Sequence, residues 1–203
     1  MAKRTANENR KTKETDITVK LNIDGTGKSR ISTSIGFLDH MLELFAFHGL
    51  FDLDISAKGD LKVDIHHTNE DIGMVLGVAF KKALGDKKGI RRSGDATWSM
   101  EDVVSLVSVD VSGRGFFEKI AREPSGQPAT RNDEGYSFAY ANHFLEAFAN
   151  KLGANLSIKL QSTNPDLHTN LEPVFKALGK ALDEATQIDP RRKGIPSTKG
   201  VID

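Results

Sequence analysis

The 203-residue chain contains no cysteine. That excludes disulfide staples, thiolate nucleophiles and Cys-based zinc sites, and it leaves His, Asp and Glu as the metal-binding vocabulary. Neither sign of charge is in excess, since 28 Lys and Arg balance 28 Asp and Glu. Phosphate backbones select basic surfaces, so nucleic acid is not an expected partner. No apolar run approaches the roughly 18 residues of a membrane span, so no membrane partner is expected either. The first residues, MAKRTANENRKTKETD, are polar and lack the apolar stretch of a secretory signal, and the expected location is the cytoplasm. What is present, 38% apolar and 28% charged residues, suits a soluble globular chain. The length allows one compact unit, or two halves of about 100 residues sharing a core.

An internal repeat favours the second arrangement. Residues 40–46 read HMLELFA and residues 143–149 read HFLEAFA, which pairs His40 with His143, Glu43 with Glu146, and Phe45 with Phe148. The register continues through Leu53-Asp54-Ile55 with Leu156-Ser157-Ile158, and Asp64-Ile65-His66 with Asp166-Leu167-His168. It ends on Glu70 with Glu172, Gly77 with Gly179, and Ala79 with Ala181. An ordered series at nearly constant offset marks two homologous halves, 1–95 and 96–203.

Local patterns predict the same plan in each half. Strands are expected at 16–24 and 29–34, a helix at 37–47 with Gly49 as its C-cap, and short strands at 51–57 and 61–65. An amphipathic helix at 68–84 follows, with Thr68 as N-cap and Gly85 at its end. In the second half, strands are expected at 94–98, 102–110, 116–121 and 154–161, and helices at 138–151 and 170–186. The fold class is α+β: two similar halves, each a small, mainly antiparallel sheet with helices packed on one face. The tail DPRRKGIPSTKGVID reads as a basic arm.

Five of the six histidines, His40, His66, His67, His143 and His168, fall in the repeated blocks. His66 and Glu70 are spaced i, i+4, as are His168 and Glu172, which on a helix puts imidazole and carboxylate on one face. A lone pair of this kind is more often a surface ion pair than a ligand set. Its recurrence at the same spacing turns the reading toward a divalent transition metal. Adjacent side chains diverge, so His66 and His67 are not expected to serve one ion, and the repeat suggests two metal sites. His48, two turns beyond His40, is expected to be structural or to cap its helix. A second group is cationic. Arg92, Arg114, Lys176 and the run Ser197-Thr198-Lys199-Gly200 offer forked donors, point charges and a hydroxyl suited to a phosphate monoester, although exposed Arg and Lys such as Arg91 and Lys193 are mostly solvated surface.

Taken together, Gly36-Phe37-Leu38-Asp39-His40-Met41-Leu42, Asp64-Ile65-His66-His67-Thr68-Asn69-Glu70-Asp71, Ser112-Gly113-Arg114, Phe175-Lys176-Ala177 and Pro196-Ser197-Thr198-Lys199-Gly200 resemble the imidazoleglycerol-phosphate dehydratases. The motifs occur in that family's order over nearly the whole chain. The resemblance implies a duplicated α+β fold of the ribosomal protein S5 domain 2-like kind. It also implies a homo-oligomeric cage, of 24 subunits in the family, with sites between subunits. The implied reaction removes water from imidazoleglycerol phosphate to give imidazole-acetol phosphate, in histidine biosynthesis. His40, His66, His67, Glu70, His143, His168 and Glu172 match the family's ligands for two Mn²⁺ ions per active site. Arg92, Arg114, Lys176, Ser197 and Lys199 match its phosphate-binding positions, and Glu14 matches an acid implicated in proton transfer. Glu70 and Glu172 stand with Glu14 as candidate catalytic carboxylates. The implied substrate is a small phosphorylated imidazole.

Two departures bear on these expectations. Thr169 stands where the family carries a further histidine ligand, and a neutral hydroxyl is a far weaker ligand than imidazole, so one site is expected to be weakened. Ser99-Met100-Glu101-Asp102 replaces the family's Pro-Met-Asp-Glu, with the two acids exchanged. Two other readings stay open at this point: a di-metal hydrolase, and a member of the same family that binds metal with its activity weakened or lost.

Overall fold

The computed structural model describes residues 3–120 and 135–202. The first half runs β1 (Thr5–Lys11), β2 (Thr15–Asn22), β3 (Ser29–Ser32), α1 (Gly36–Gly49), β4 (Asp52–Gly59) and α2 (His66–Leu84). The second repeats that order as β5 (Ser93–Met100), β6 (Val103–Asp110), β7 (Phe116–Glu118), α3 (Phe138–Leu152), β8 (Asn155–Leu160) and α4 (Leu167–Thr186). The sheets have matching strand orders, β1-β2-β4-β3 and β5-β6-β8-β7. All neighbours are antiparallel except β3 with β4 and β7 with β8, so each half is α+β with a mainly antiparallel sheet.

Alternation along the strands decides which face is covered. Ile17, Val19 and Leu21 of β2 stand opposite Ala57, Ile55 and Leu53 of β4, and all six are buried. Val107 and Val109 of β6 meet Ile158 and Leu156 of β8 in the same way. Helices α1 and α2 lie on the first sheet and α3 and α4 on the second, and the two helix layers then face each other, α2 against α3 and α1 against α4. Their shared interior holds an aromatic cluster of Phe45, Phe51, Phe80, Phe144, Phe148 and Phe175.

Glycines set how closely the helices approach. A Cβ on Gly77 of α2 would stand 2.6 Å from the Phe148 carbonyl oxygen of α3. A Cβ on Gly179 of α4 would stand 2.5 Å from the Phe45 carbonyl oxygen of α1. These are two of the repeated pairs read from the sequence, and they make reciprocal contacts. The second helix of each half rests on the first helix of the other.

Several local expectations change. β1 was not anticipated, because Thr5–Lys11 is polar except for Ala6 and pairs as an edge strand with β2. No strand forms at 61–65. Its alternating pattern finds no partner, Val63 is 74% exposed, and its N–H closes a turn onto the Asp60 carbonyl. The helices begin earlier than expected, α2 at His66 and α4 at Leu167. Thr68 is therefore a buried residue inside α2 and not its cap. Leu50, with φ of 57°, takes the left-handed position expected of Gly49. Gly49 is needed elsewhere, since a Cβ there would stand 2.9 Å from the Gly179 carbonyl oxygen. The expected strand at 116–121 ends at Glu118, and its last residue lies outside the described residues. The basic arm is irregular and rests on the link between the halves, with Gly89 donating to the Gly194 carbonyl at 3.0 Å. Among the described residues, no helix is long and apolar enough to cross a membrane.

Candidate metal centre

The crossed helix contacts bring the repeated histidines together across the halves. Starting α4 at Leu167 places His168 and Glu172 one turn apart, with His168 Nε2 2.6 Å from Glu172 Oε2. His40, from α1 of the other half, reaches the same oxygen with its Nε2 at 3.4 Å. His40, His168 and Glu172 each offer a ligand atom, and these atoms lie within 4.8 Å of one another. His143 of α3 meets His66 of α2 in the corresponding place, Nδ1 to Nδ1 at 3.1 Å. There His66 turns its other nitrogen, Nε2, to Glu70 Oε2 at 3.6 Å. The first group converges on one point, whereas the second is spread around the two sides of the His66 ring.

Electrostatics distinguish Glu172. Burial alone would push its carboxyl up, but hydrogen bonds from Lys176 and His168, the Lys176 charge and the His40 contact hold it at about 2. It is thus an anion at neutral pH, with side-chain exposure of 13%. Lys176, one turn further along α4, donates to its Oε1 and lies 5.9 Å from the centre of the Trp98 ring. Phe37 stacks on the buried Tyr136 and stands nearly perpendicular to the His168 ring, 6.0 Å between centres, giving the convergent group an apolar neighbour. Two imidazoles and one carboxylate, ionised and short of solvent, suit a borderline divalent cation. The His66–His143 contact also suits one: two facing ring nitrogens need either one shared proton or a cation between them.

His67 joins neither group. Its ring is 6.2 Å from that of His66, and its Nδ1 lies 3.1 Å from Asp60 Oδ2 and 4.0 Å from Glu14 Oε2. Its pKa is raised, first by the hydrogen bond to Asp60 and further by the Glu14 charge. Glu14 is carried there by the β1–β2 turn, which is pinned to α2 because Thr15 donates to Asp71 at 2.6 Å and Arg10 pairs with the same carboxylate. Thr169, the counterpart of His67, is buried and donates its hydroxyl to Asp166, the N-cap of α4, at 2.8 Å. The half that carries Thr169 nevertheless supplies two members of the convergent triplet.

The cationic residues are more dispersed. Arg92 is gripped by Asp110, Nε to Oδ1 at 2.6 Å, and also donates to the Pro196 carbonyl at 3.0 Å, docking the arm that carries Ser197. Ser197 Oγ accepts the Lys199 backbone N–H at 3.2 Å. Arg114 is exposed beside the Gly113–Gly153 contact. Among the described residues, no hydrogen bond or ion pair links Arg114 or the Lys199 ammonium to either histidine group. Among the described residues, Lys176 is the one phosphate candidate with a hydrogen bond or ion pair to a metal candidate. His48 packs its ring against Trp98, 4.6 Å between centres, and burial lowers its pKa, assisted by Lys176 and Lys180. Asp60, Trp98 and Asp110 were not singled out from the sequence. Asp110 ends the strand expected at 102–110, four residues before Arg114, but no periodicity links Asp60 or Trp98 to the residues they meet.

A family model for imidazoleglycerol-phosphate dehydratase matches residues 33–182. The imidazoleglycerol-phosphate dehydratase of Thermoanaerobacter sp. (strain X514) is 52% identical over 202 residues, 98% of this chain and 100% of the relative. That of Geobacter metallireducens is 46% identical over 199 residues, 98% of this chain and 99% of the relative. The crystal structure of IGPD from Pyrococcus furiosus superposes with a TM-score of 0.80 at 36% identity, covering 96% of this chain and 99% of that one. The Staphylococcus aureus enzyme gives a TM-score of 0.77 at 29% identity, over 91% and 99%.

Proposed function

Since the chain belongs to the imidazoleglycerol-phosphate dehydratase family, we propose that it takes water out of imidazoleglycerol phosphate, leaving imidazole-acetol phosphate, with divalent cations held by its paired histidine–glutamate groups. The protein is an enzyme, a hydro-lyase. The observation that carries the metal-dependent reading is the convergence of His40, His168 and Glu172. Mn²⁺ is the expected ion, two for each active site. His66, Glu70 and His143 are the second group of donors, and His67 supplies a further imidazole.

The substrate's side chain has no carbonyl to acidify its C–H bond. A bound divalent cation would supply Lewis acidity to the substrate ring and a template for it. The protein's own groups do the rest. Glu172 stays anionic well below neutrality and so presents a charged donor throughout the physiological range. Glu14, exposed on its turn, is the candidate acid and base that carries the proton from the substrate carbon toward the departing hydroxyl. Lys176, Arg92, Arg114, Ser197 and Lys199 are proposed to hold the phosphate, so that binding energy remote from the reacting carbons orients them. The dispersion of these cations in one chain, and the half-exposed rings of His40, His66 and His67, support a site completed by a second copy in a homo-oligomer.

The test is removal and return of metal. The chelated protein should lose formation of imidazole-acetol phosphate and regain it with Mn²⁺. Turnover that survives complete stripping would refute metal dependence. Metal binding without turnover would instead identify a member that has lost its chemistry.

A further inference from the structure

Outside the two histidine groups, Asp60 is the carboxylate with a buried oxygen that lacks a hydrogen-bond partner among the described residues. Asp60 follows Gly59, the last residue of β4, and this strand end is pressed onto the first turn of α2, where a Cβ on Gly59 would collide with the Thr68 hydroxyl. That approach carries Asp60 Oδ2 to 3.1 Å from His67 Nδ1. The other oxygen, Oδ1, is buried and has no hydrogen-bond partner among the described residues. Among those residues no Lys or Arg pairs with Asp60, and its side chain is only 26% exposed. A buried carboxylate oxygen left without a hydrogen-bonding partner costs stability and calls for an explanation.

The internal repeat supplies an independent comparison. Six residues ahead of His66 stands Asp60, and six residues ahead of His168 stands Ser162. Where the first half has His67, the second has Thr169. The second half therefore lacks the imidazole and the carboxylate together, yet it makes the same passage from strand to helix, using Asp166 and Asn170. The passage itself does not need Asp60.

We propose that Asp60 is a positioning residue for metal binding through His67. By accepting the Nδ1 proton it selects one tautomer and fixes the ring, which leaves the Nε2 lone pair for a divalent cation. Glu14, 4.0 Å from the same Nδ1, is too distant to share that role and stays free for proton transfer. The inference rests on the metal reading above, and a double-mutant cycle separates the two. Mn²⁺ is titrated calorimetrically into metal-stripped wild type, Asp60→Ala, Asp60→Asn, His67→Ala and the Asp60→Ala/His67→Ala double variant. Metal content after dialysis and the melting temperature of each stripped protein are measured alongside. Asp60→Ala should weaken one class of Mn²⁺ binding by about 10- to 100-fold, with Asp60→Asn intermediate. In the His67→Ala background the same change should have no further effect, because Asp60 acts only through that ring. An equal effect in both backgrounds, or none in wild type while His67→Ala binds weakly, overturns the positioning role alone. An unchanged isotherm for His67→Ala overturns the assignment of His67 as a ligand, and the inference with it.

Discussion

The Nδ1 atoms of His66 and His143 lie 3.1 Å apart although 77 residues separate them in the chain. Two positively charged rings would repel at that distance, so the contact is stable only with a proton or a cation between the nitrogens. The same crossing places His40 beside His168 and Glu172. In each group the first helix of one half thus contributes one histidine, and the second helix of the other half contributes a histidine and a glutamate.

His66→Ala and Glu172→Ala should each lose metal and dehydratase activity together, as read by elemental analysis after dialysis and by product formation. A full metal complement in both variants would contradict the ligand assignment.

Glu14→Gln should retain Mn²⁺ and still bind a phosphorylated substrate analogue, yet turn over about 10²- to 10⁴-fold more slowly, the usual loss when a proton-transferring group is removed. Turnover close to wild type would show that the proton travels by another route.

Lys199→Ala should raise KM with kcat little changed, since a charge that holds the distant phosphate contributes alike in ground and transition states. A charge-assisted hydrogen bond of about 1.5–3 kcal/mol corresponds to roughly 10- to 100-fold. A fall in kcat at unchanged KM would place the residue in the chemical step instead.

Asp52 gives a pH test away from the site. Its carboxylate accepts the Thr26 N–H at 2.8 Å and the Lys28 N–H at 3.2 Å, and the Thr26 bond foremost holds its pKa below the ordinary carboxylate value, with burial opposing. The unfolded chain titrates near 3.9, so this stabilisation is complete above that pH and disappears as pH falls through the lower folded value. Asp52→Asn should cost stability at pH 7 and progressively less below about 4, measured by urea denaturation at a series of pH values. A difference constant with pH would rule the linkage out.

Gly77→Ala and Gly179→Ala should each destabilise the metal-stripped protein by roughly 1–3 kcal/mol, because a methyl at either site meets a helix carbonyl and the helices must separate. The two losses should be similar, as the contacts are reciprocal. A neutral outcome at either position would mean that the helix layers give way more easily than their packing implies.

Much of this was legible along the chain. The repeat, the helix-period spacing of His66 with Glu70 and of His168 with Glu172, and nearly all elements follow from patterns within about twenty residues, where hydrophobic period and turn chemistry act. The misjudged segments were those where local pattern and pairing disagree: Leu61–Ile65 alternates but has no neighbouring strand, and Thr5–Lys11 is mostly polar but finds an edge. The sequence by itself determined the two homologous halves, the family and the recurrence of a histidine and a glutamate four residues apart in each half. Only the tertiary structure decided that each His–Glu pair takes its second imidazole from the opposite half, that Asp60 rather than Glu14 holds His67, and that Thr169 is spent on Asp166. Helical period can align residues four apart on one helix. Which helix then faces them depends on close approach at Gly77 and Gly179, between segments that no periodicity connects.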